Sequence, residues 1–171
     1  MRPQGRVHAG FYPLSPGAVE TALMYLHAEH PEGVIALDPC VGEGLAFKQI
    51  MEGLGVPLSN CCAVELSENR GLTATENLPG CNVIHPADFI GGVTRPARSF
   101  SFVYCNPPYD DEIGGGWRIE TSFVDKVAHM LRIDGVALFV VPENTWASNP
   151  NFRSSLARMF VEIMPVYPAQ E

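Results

Sequence analysis

Val34-Ile35-Ala36-Leu37-Asp38-Pro39-Cys40-Val41-Gly42-Glu43-Gly44 is the stretch that decides the fold. Its first four residues are a continuous apolar run, the pattern of a strand buried on both faces of a parallel sheet. An acid and a tight glycine turn follow at once, and a helix is predicted from about Leu45 to Glu52. The same unit then recurs. Cys61-Cys62-Ala63-Val64 is a second buried strand ending at Glu65. Ser67 caps a helix that runs to about Leu78, despite Gly71, and Pro79-Gly80 breaks it. Asn82-Val83-Ile84-His85 is a third strand, followed by Pro86-Ala87-Asp88-Phe89 and a loop from Gly91 to Arg98. Ser101-Phe102-Val103-Tyr104-Cys105 is a fourth. A helix from about Glu120 to Leu131 precedes Asp134-Gly135, which turns into a fifth strand, Val136 to Val141. A last helix, about Asn151 to Phe160, leads to a sixth candidate strand, Glu162 to Val166. Strand and helix alternating at this spacing predict an α/β fold, a doubly wound, mostly parallel sheet with helices on both faces.

Upstream of the deciding stretch, residues 1–14 read as irregular. Ser15 is a good N-cap and Pro16 a good first helical residue. The predicted helix runs from about Pro16 to His30, with Val19, Leu23 and Leu26 on one face, until Pro31 and Gly33 end it.

Doubly wound sheets bind ligands at the carboxyl ends of their strands. Asp38, Gly42, Gly44, Glu65, Asp88 and Asn106 all fall on that edge. The glycine turn lets backbone approach a ligand closely. A dinucleotide fingerprint would need a small residue three positions after Gly44, and Phe47 stands there. No diphosphate cradle is implied, and a nucleoside without a pyrophosphate fits better. Glu65 stands where an acid would accept from ribose hydroxyls, and Asp88 where one would accept from an adenine amino group.

The fourth strand runs into Asn106-Pro107-Pro108-Tyr109. Neither proline has a backbone N–H and each fixes its own φ, so the turn is stiff and short of donors. Each also restrains the residue before it. The result is a rigid cluster of acceptors beside a flat ring, suited to a planar group bearing an NH2.

At 171 residues, 46% of them hydrophobic and 18% charged, the chain suits one globular domain with a substantial core. No apolar run approaches the roughly 18 residues of a membrane span. Met1-Arg2-Pro3-Gln4-Gly5-Arg6 has no apolar run after it, so a cytoplasmic location is expected. Five cysteines, at 40, 61, 62, 81 and 105, include no Cys-x-x-Cys pair. Reduced thiols are expected, and no metal. The net charge of −8 opposes unaided binding to nucleic acid, as do Asp110, Asp111 and Glu112.

This series resembles the class I S-adenosylmethionine-dependent methyltransferases, and among them the amino-methylating (N6-adenine) DNA methyltransferases. Their acid-Pro-x-x-Gly-x-Gly motif is matched by Asp38 to Gly44, and their Asn-Pro-Pro-Tyr motif by residues 106–109. Their aromatic-Tyr-Pro segment ahead of a capped helix is matched by Phe11-Tyr12-Pro13-Leu14-Ser15-Pro16. The resemblance implies a Rossmann-like catalytic domain over residues 1–171. Residues 1–33 would be a cofactor-binding segment and helix, and 34–171 the sheet core. It implies S-adenosylmethionine as cofactor, held by Phe11, Tyr12, Pro13, Asp38, Pro39, Cys40, Gly42, Gly44, Glu65, Leu66, Asp88, Phe89 and Asn106. Within it, Glu65 holds the ribose, Asp88 the adenine, and Phe89 lines the adenine pocket. The catalytic group would be Asn106, Pro107, Pro108 and Tyr109, acting on N6 of adenine in DNA, as in restriction-modification.

Departures from that pattern matter. No separate target-recognition region is visible, and one candidate strand stands where the family's sheet ends in a hairpin. A catalytic core lacking its C-terminal hairpin, with a recognition domain or subunit elsewhere, is the expected account. The same tetrapeptide occurs in RNA methyltransferases and in release-factor glutamine methyltransferases, which leaves those substrates open. A fold that only binds cofactor or a partner is the non-enzymatic alternative. Cys40 follows a proline, as nucleophilic cysteines of carbon-5 cytosine methyltransferases do, but it sits in the cofactor turn and is not expected to attack. His85 and His129 read as packing or surface residues. Trp117 and Arg118 could touch substrate or lie in a solvated loop, and Asn144 and Trp146 could border the target pocket or fill core.

Overall fold

The computed structural model describes residues 14–108 and 119–166. Five strands form one sheet in the order β3-β2-β1-β4-β5, and every pairing is parallel. They are β1 (Ala36–Asp38), β2 (Cys61–Val64), β3 (Asn82–Ile84), β4 (Phe100–Cys105) and β5 (Leu131–Phe139). The helices are α1 (Pro16–Leu23), α2 (Leu45–Leu54), α3 (Glu68–Asn77), α4 (Phe89–Gly92), α5 (Ile119–Met130), α6 (Glu143–Ser148) and α7 (Pro150–Met159). The order reverses between β1 and β4, so the switch point lies where the glycine turn and the Asn106 turn emerge.

Strand periodicity builds the two layers. Successive side chains point to opposite faces. Ala36, Ala63, Phe102 and Tyr104 join Val19 of α1, Phe47, Ile50 and Met51 of α2 and Ala74 of α3 in one core. Their neighbours Leu37, Cys62, Val64, Val103 and Cys105 join Phe89, Phe123, Val127 and Met130 in the other. A third cluster seats Phe152 and Leu156 of α7 against Val124 of α5. Because both faces are covered, the three central strands read as unbroken apolar runs.

Four sequence expectations need correction. The first helix ends at Leu23, not near His30. Leu26 still packs against the first core, but through irregular chain, because the connection must travel back to the amino end of β1. A helix advances about 1.5 Å per residue and extended chain about 3.3 Å, so tertiary reach overrides local propensity. The fifth strand begins at Leu131, not Val136. Leu131 pairs with Phe100 and pairing resumes at Val136 with Phe102. The predicted Asp134-Gly135 turn survives as an irregularity inside the strand, with Asp134 at φ 63°. The predicted loop from Gly91 to Arg98 starts inside the single turn α4, which takes in Gly91 and Gly92, and α6 precedes the last helix. Residues 162–166 form no strand. Val161 just before them is fully exposed, so this segment lacks the buried face a strand needs.

Gly71 also finds its reason. A Cβ there would lie 2.2 Å from Cγ of His85, whose ring rests directly on α3. His85 is thus a packing residue, and His129 is exposed at the end of α5. Trp146 packs against the third cluster, and Asn144 is exposed on α6. No helix among the described residues is long and apolar enough to cross a membrane.

Candidate cofactor and acceptor site

The site is assembled from the carboxyl ends of β1, β2 and β4 and the turn beyond β3. β1 ends at Asp38, which is 1% exposed. Its Oδ1 accepts the Cys40 N–H at 2.9 Å, which bends the chain into the glycine turn. Burial pushes the Asp38 carboxyl up to about 8; the Cys40 N–H opposes this and the Glu65 charge adds to it.

The glycine turn is pinned from β2. Val41 donates its N–H to the Val64 carbonyl at 3.0 Å, and Gly42 donates to Glu65 Oε2 at 3.0 Å. Gly42 and Gly44 lie at φ 59° and 87°, where a side chain is strained. At Gly44 a Cβ would also meet Leu78 Cδ1 at 2.9 Å. Glycine here satisfies both a backbone conformation and a close approach of α2 to α3.

Glu65 is buried at the end of β2 with 4% exposure. Oε1 accepts from the Ser67 N–H at 2.8 Å and from Arg70 Nε and Nη2 at 3.0 and 2.7 Å. Oε2, with the Gly42 N–H, keeps further acceptor capacity. Arg70 is the site residue that sequence reasoning missed. It had a signal: cations are unfavourable in a helix's first turn, so an arginine there, just after a strand-end acid, points to an ion pair. Leu66 follows with 66% exposure and supplies apolar surface at this edge.

Beyond β3, Asp88 is exposed and caps α4, its Oδ1 accepting the Ile90 N–H at 2.9 Å. Phe89 is 3% exposed and stacks on Phe123 with centroids 5.5 Å apart. Its ring therefore belongs to the core under the turn, and the exposed apolar side chain at this edge is Leu66.

At the end of β4 the Asn106 carbonyl accepts the Cys40 S–H at 3.2 Å. Pro107 has no N–H, so that carbonyl is the only backbone hydrogen-bonding group of the Asn106–Pro107 peptide. Cys40 thus ties the Asn106 turn to the glycine turn. Burial, together with Cys105 and Asp38 nearby, raises the Cys40 thiol well above its usual range, and a backbone hydrogen bond at Asn106 opposes this only in part. It stays protonated, which makes it a donor and denies it a nucleophilic role. Pro39 and Pro107 are buried, and Asn106 and Pro108 half-buried. Phe11, Tyr12, Pro13, Tyr109, Trp117 and Arg118 lie outside the described residues.

A hollow of about 730 Å3 lies at the opposite edge of the sheet, lined by Asn60, Arg95 and Arg132 among others. It shares no residue with this site.

Residues 2–162 match the model of the Uncharacterised methyltransferase family (DUF6094). The chain belongs to this family. Its fold is that of class I methyltransferases. An S-adenosylmethionine-dependent O-methyltransferase from Thermotoga maritima superposes with a TM-score of 0.64 at 18% identity, over 86% of this chain and 51% of that one. A Mesorhizobium loti S-adenosylmethionine-dependent methyltransferase gives 0.51 at 21% identity, over 72% and 53%. The type IIG restriction endonuclease BpuSI gives 0.68 at 16% identity, over 89% of this chain and 22% of that one. The chain thus spans about half the length of the first two and about a fifth of the third. No curated protein matches it.

The donor set suits S-adenosylmethionine. Acids close β1 and β2, an exposed acid caps the turn after β3, and an exposed leucine lies between them. A nucleoside with hydroxyls, an amino group and a flat apolar face finds a partner for each.

Proposed function

We propose that this family member transfers a methyl group from S-adenosylmethionine to an exocyclic amino nitrogen, with N6 of adenine in DNA as substrate. The observation that carries the reading is the Asn106-Pro107-Pro108 turn, emerging at the switch point and bound through Cys40 to the glycine turn. When bound, S-adenosylmethionine supplies an electrophilic methyl on its sulfonium. Glu65 Oε2 would accept from the ribose, Asp88 from the adenine amino group, and Leu66 would cover the base. Phe11, Tyr12 and Pro13 would complete this side.

The acceptor chemistry falls to the second turn. An aromatic amine is a poor nucleophile, because its lone pair is delocalised into the ring. The Asn106 side-chain oxygen and the Pro107 carbonyl would accept its two hydrogens and localise that lone pair. Both acceptors sit on a turn that cannot relax, so the amine is held for in-line attack by proximity and orientation. Tyr109 would stack on the base, which in duplex DNA must first be flipped out. The surplus proton leaves to solvent, and no covalent enzyme intermediate is needed.

Several features favour DNA with a partner. A restriction endonuclease stands among the structural neighbours, a likeness of fold. The net charge of −8 favours phosphate contacts made by a separate recognition domain or subunit. The domain itself would run over residues 1–171.

The test is transfer of labelled methyl to DNA, RNA and a release factor side by side. Label in DNA, lost in Asn106→Ala with cofactor affinity retained, is the expected result. Label in protein alone would move the assignment to an amide nitrogen, and full turnover by Asn106→Ala would remove the proposed role.

A further inference from the structure

One cation near the site is untouched by the reading above. Lys126 lies in the middle of α5, and its ammonium reaches out of that helix to the turn that carries Asp88. It donates to the carbonyls of Phe89, Ile90 and Val93, the last two at 2.9 and 2.6 Å. It also sits 4.9 Å from the centroid of the Phe89 ring. Phe89 in turn stacks on Phe123, three residues before Lys126 on the same face of α5.

The turn needs such a fastening. α4 is four residues long, Phe89–Gly92. Only the Gly92 and Val93 N–H groups return to the Asp88 carbonyl, at 2.8 and 3.1 Å. An isolated turn of this length is unstable, and its last carbonyls lack intrahelical donors. Lys126 supplies three donors and a positive charge where the helix end is negative. The turn in question sets the Asp88 carboxylate. Oδ1 is held by the Ile90 N–H, and Oδ2 lies over Gly91, where a Cβ would approach to 2.9 Å. Ile90 thus both anchors the carboxylate and is anchored by Lys126.

We propose that Lys126 is a positioning residue that sets the base specificity of the cofactor site, by locking the Phe89–Val93 turn so that Asp88 meets the adenine amino group. This rests on the reading of Asp88 as the adenine acceptor. Lys126 touches no ligand itself; it acts through the backbone of the turn.

The experiment is calorimetry of S-adenosylhomocysteine against S-inosylhomocysteine, which carries a carbonyl in place of the adenine amino group. The wild-type chain should favour the adenosyl ligand by about tenfold, the scale of one hydrogen bond to a charged group. Asp88→Ala should bring that ratio close to one. Lys126→Met keeps the aliphatic stem and loses the three donors, and should lower the ratio at least threefold. The double variant should be no less selective than Asp88→Ala alone. Lys126→Arg should restore most of the preference. Lys126→Gln, which keeps two donors, serves if the methionine variant does not fold. A lysine with a purely structural role would weaken both ligands equally and leave the ratio unchanged, which overturns the proposal. If Asp88→Ala itself leaves the ratio unchanged, the reading of Asp88 fails and the proposal with it.

Discussion

Replacing Asp38 with asparagine should change how the fold responds to pH. The folded carboxyl titrates at about 8, against 3.8 as its ordinary value, because it is buried at the end of β1. Between those values the folded chain holds a proton that the unfolded chain has released. Unfolding free energy then falls as pH rises, by about 1.4 kcal/mol per pH unit. The stabilising share is whole below the unfolded value and gone above about 8. Integrated from about pH 5 to pH 8, with the slope halving at the top, the loss is about 3–4 kcal/mol. Asparagine keeps an Oδ1 for the Cys40 N–H and has no ionised form, so it carries no such slope. Guanidinium denaturation of both proteins at several pH values, at constant ionic strength, measures the effect. Other titrating groups cancel in the difference. The variant should gain on the wild type by those 3–4 kcal/mol across the range. Parallel stability curves would show that Asp38 ionises freely in the folded state and would refute the argument.

Three further outcomes can be checked. Gly71→Ala should destabilise the fold by about 1–2 kcal/mol in thermal unfolding, although helix propensity alone favours alanine by about 1 kcal/mol, because the new Cβ would overlap the His85 ring. Adding His85→Ala should not restore stability, because the Cβ that alanine keeps at position 85 would still lie 2.3 Å from the new one. Glu65→Gln should lower stability by about 1–3 kcal/mol and weaken S-adenosylhomocysteine binding at least about tenfold in calorimetry, since an amide cannot accept from both Gly42 and the Ser67–Arg70 side. Cys40→Ala should slow methyl transfer by about 2–5-fold, the worth of one weak hydrogen bond, with cofactor affinity little changed; Cys40→Ser should retain the rate, and equal rates in both would mean that the thiol does not hold the Asn106 turn.

Much of the fold was legible in the chain alone. The three central strands announce themselves as apolar runs because a parallel sheet covered on both faces leaves no polar side. Ser15, Ser67 and Gly44 mark helix starts, since a cap or a left-handed turn is satisfied within a few residues. The placement of Asp38, Glu65, Asp88 and Asn106 along one edge followed from the strand ends alone. Each of these signals is local, so sequence determines it directly. What the tertiary structure decided is how those residues engage one another. Arg70 takes one oxygen of Glu65, Cys40 binds the Asn106 carbonyl 66 residues away, and Lys126 clamps the turn of Asp88 from another helix. Phe89 is likewise turned into the core by Phe123. The early end of α1 and the irregular start of β5 belong to the same class. Such outcomes depend on which surfaces meet once the sheet has formed, and a hydrogen bond between distant segments leaves no periodicity in the chain.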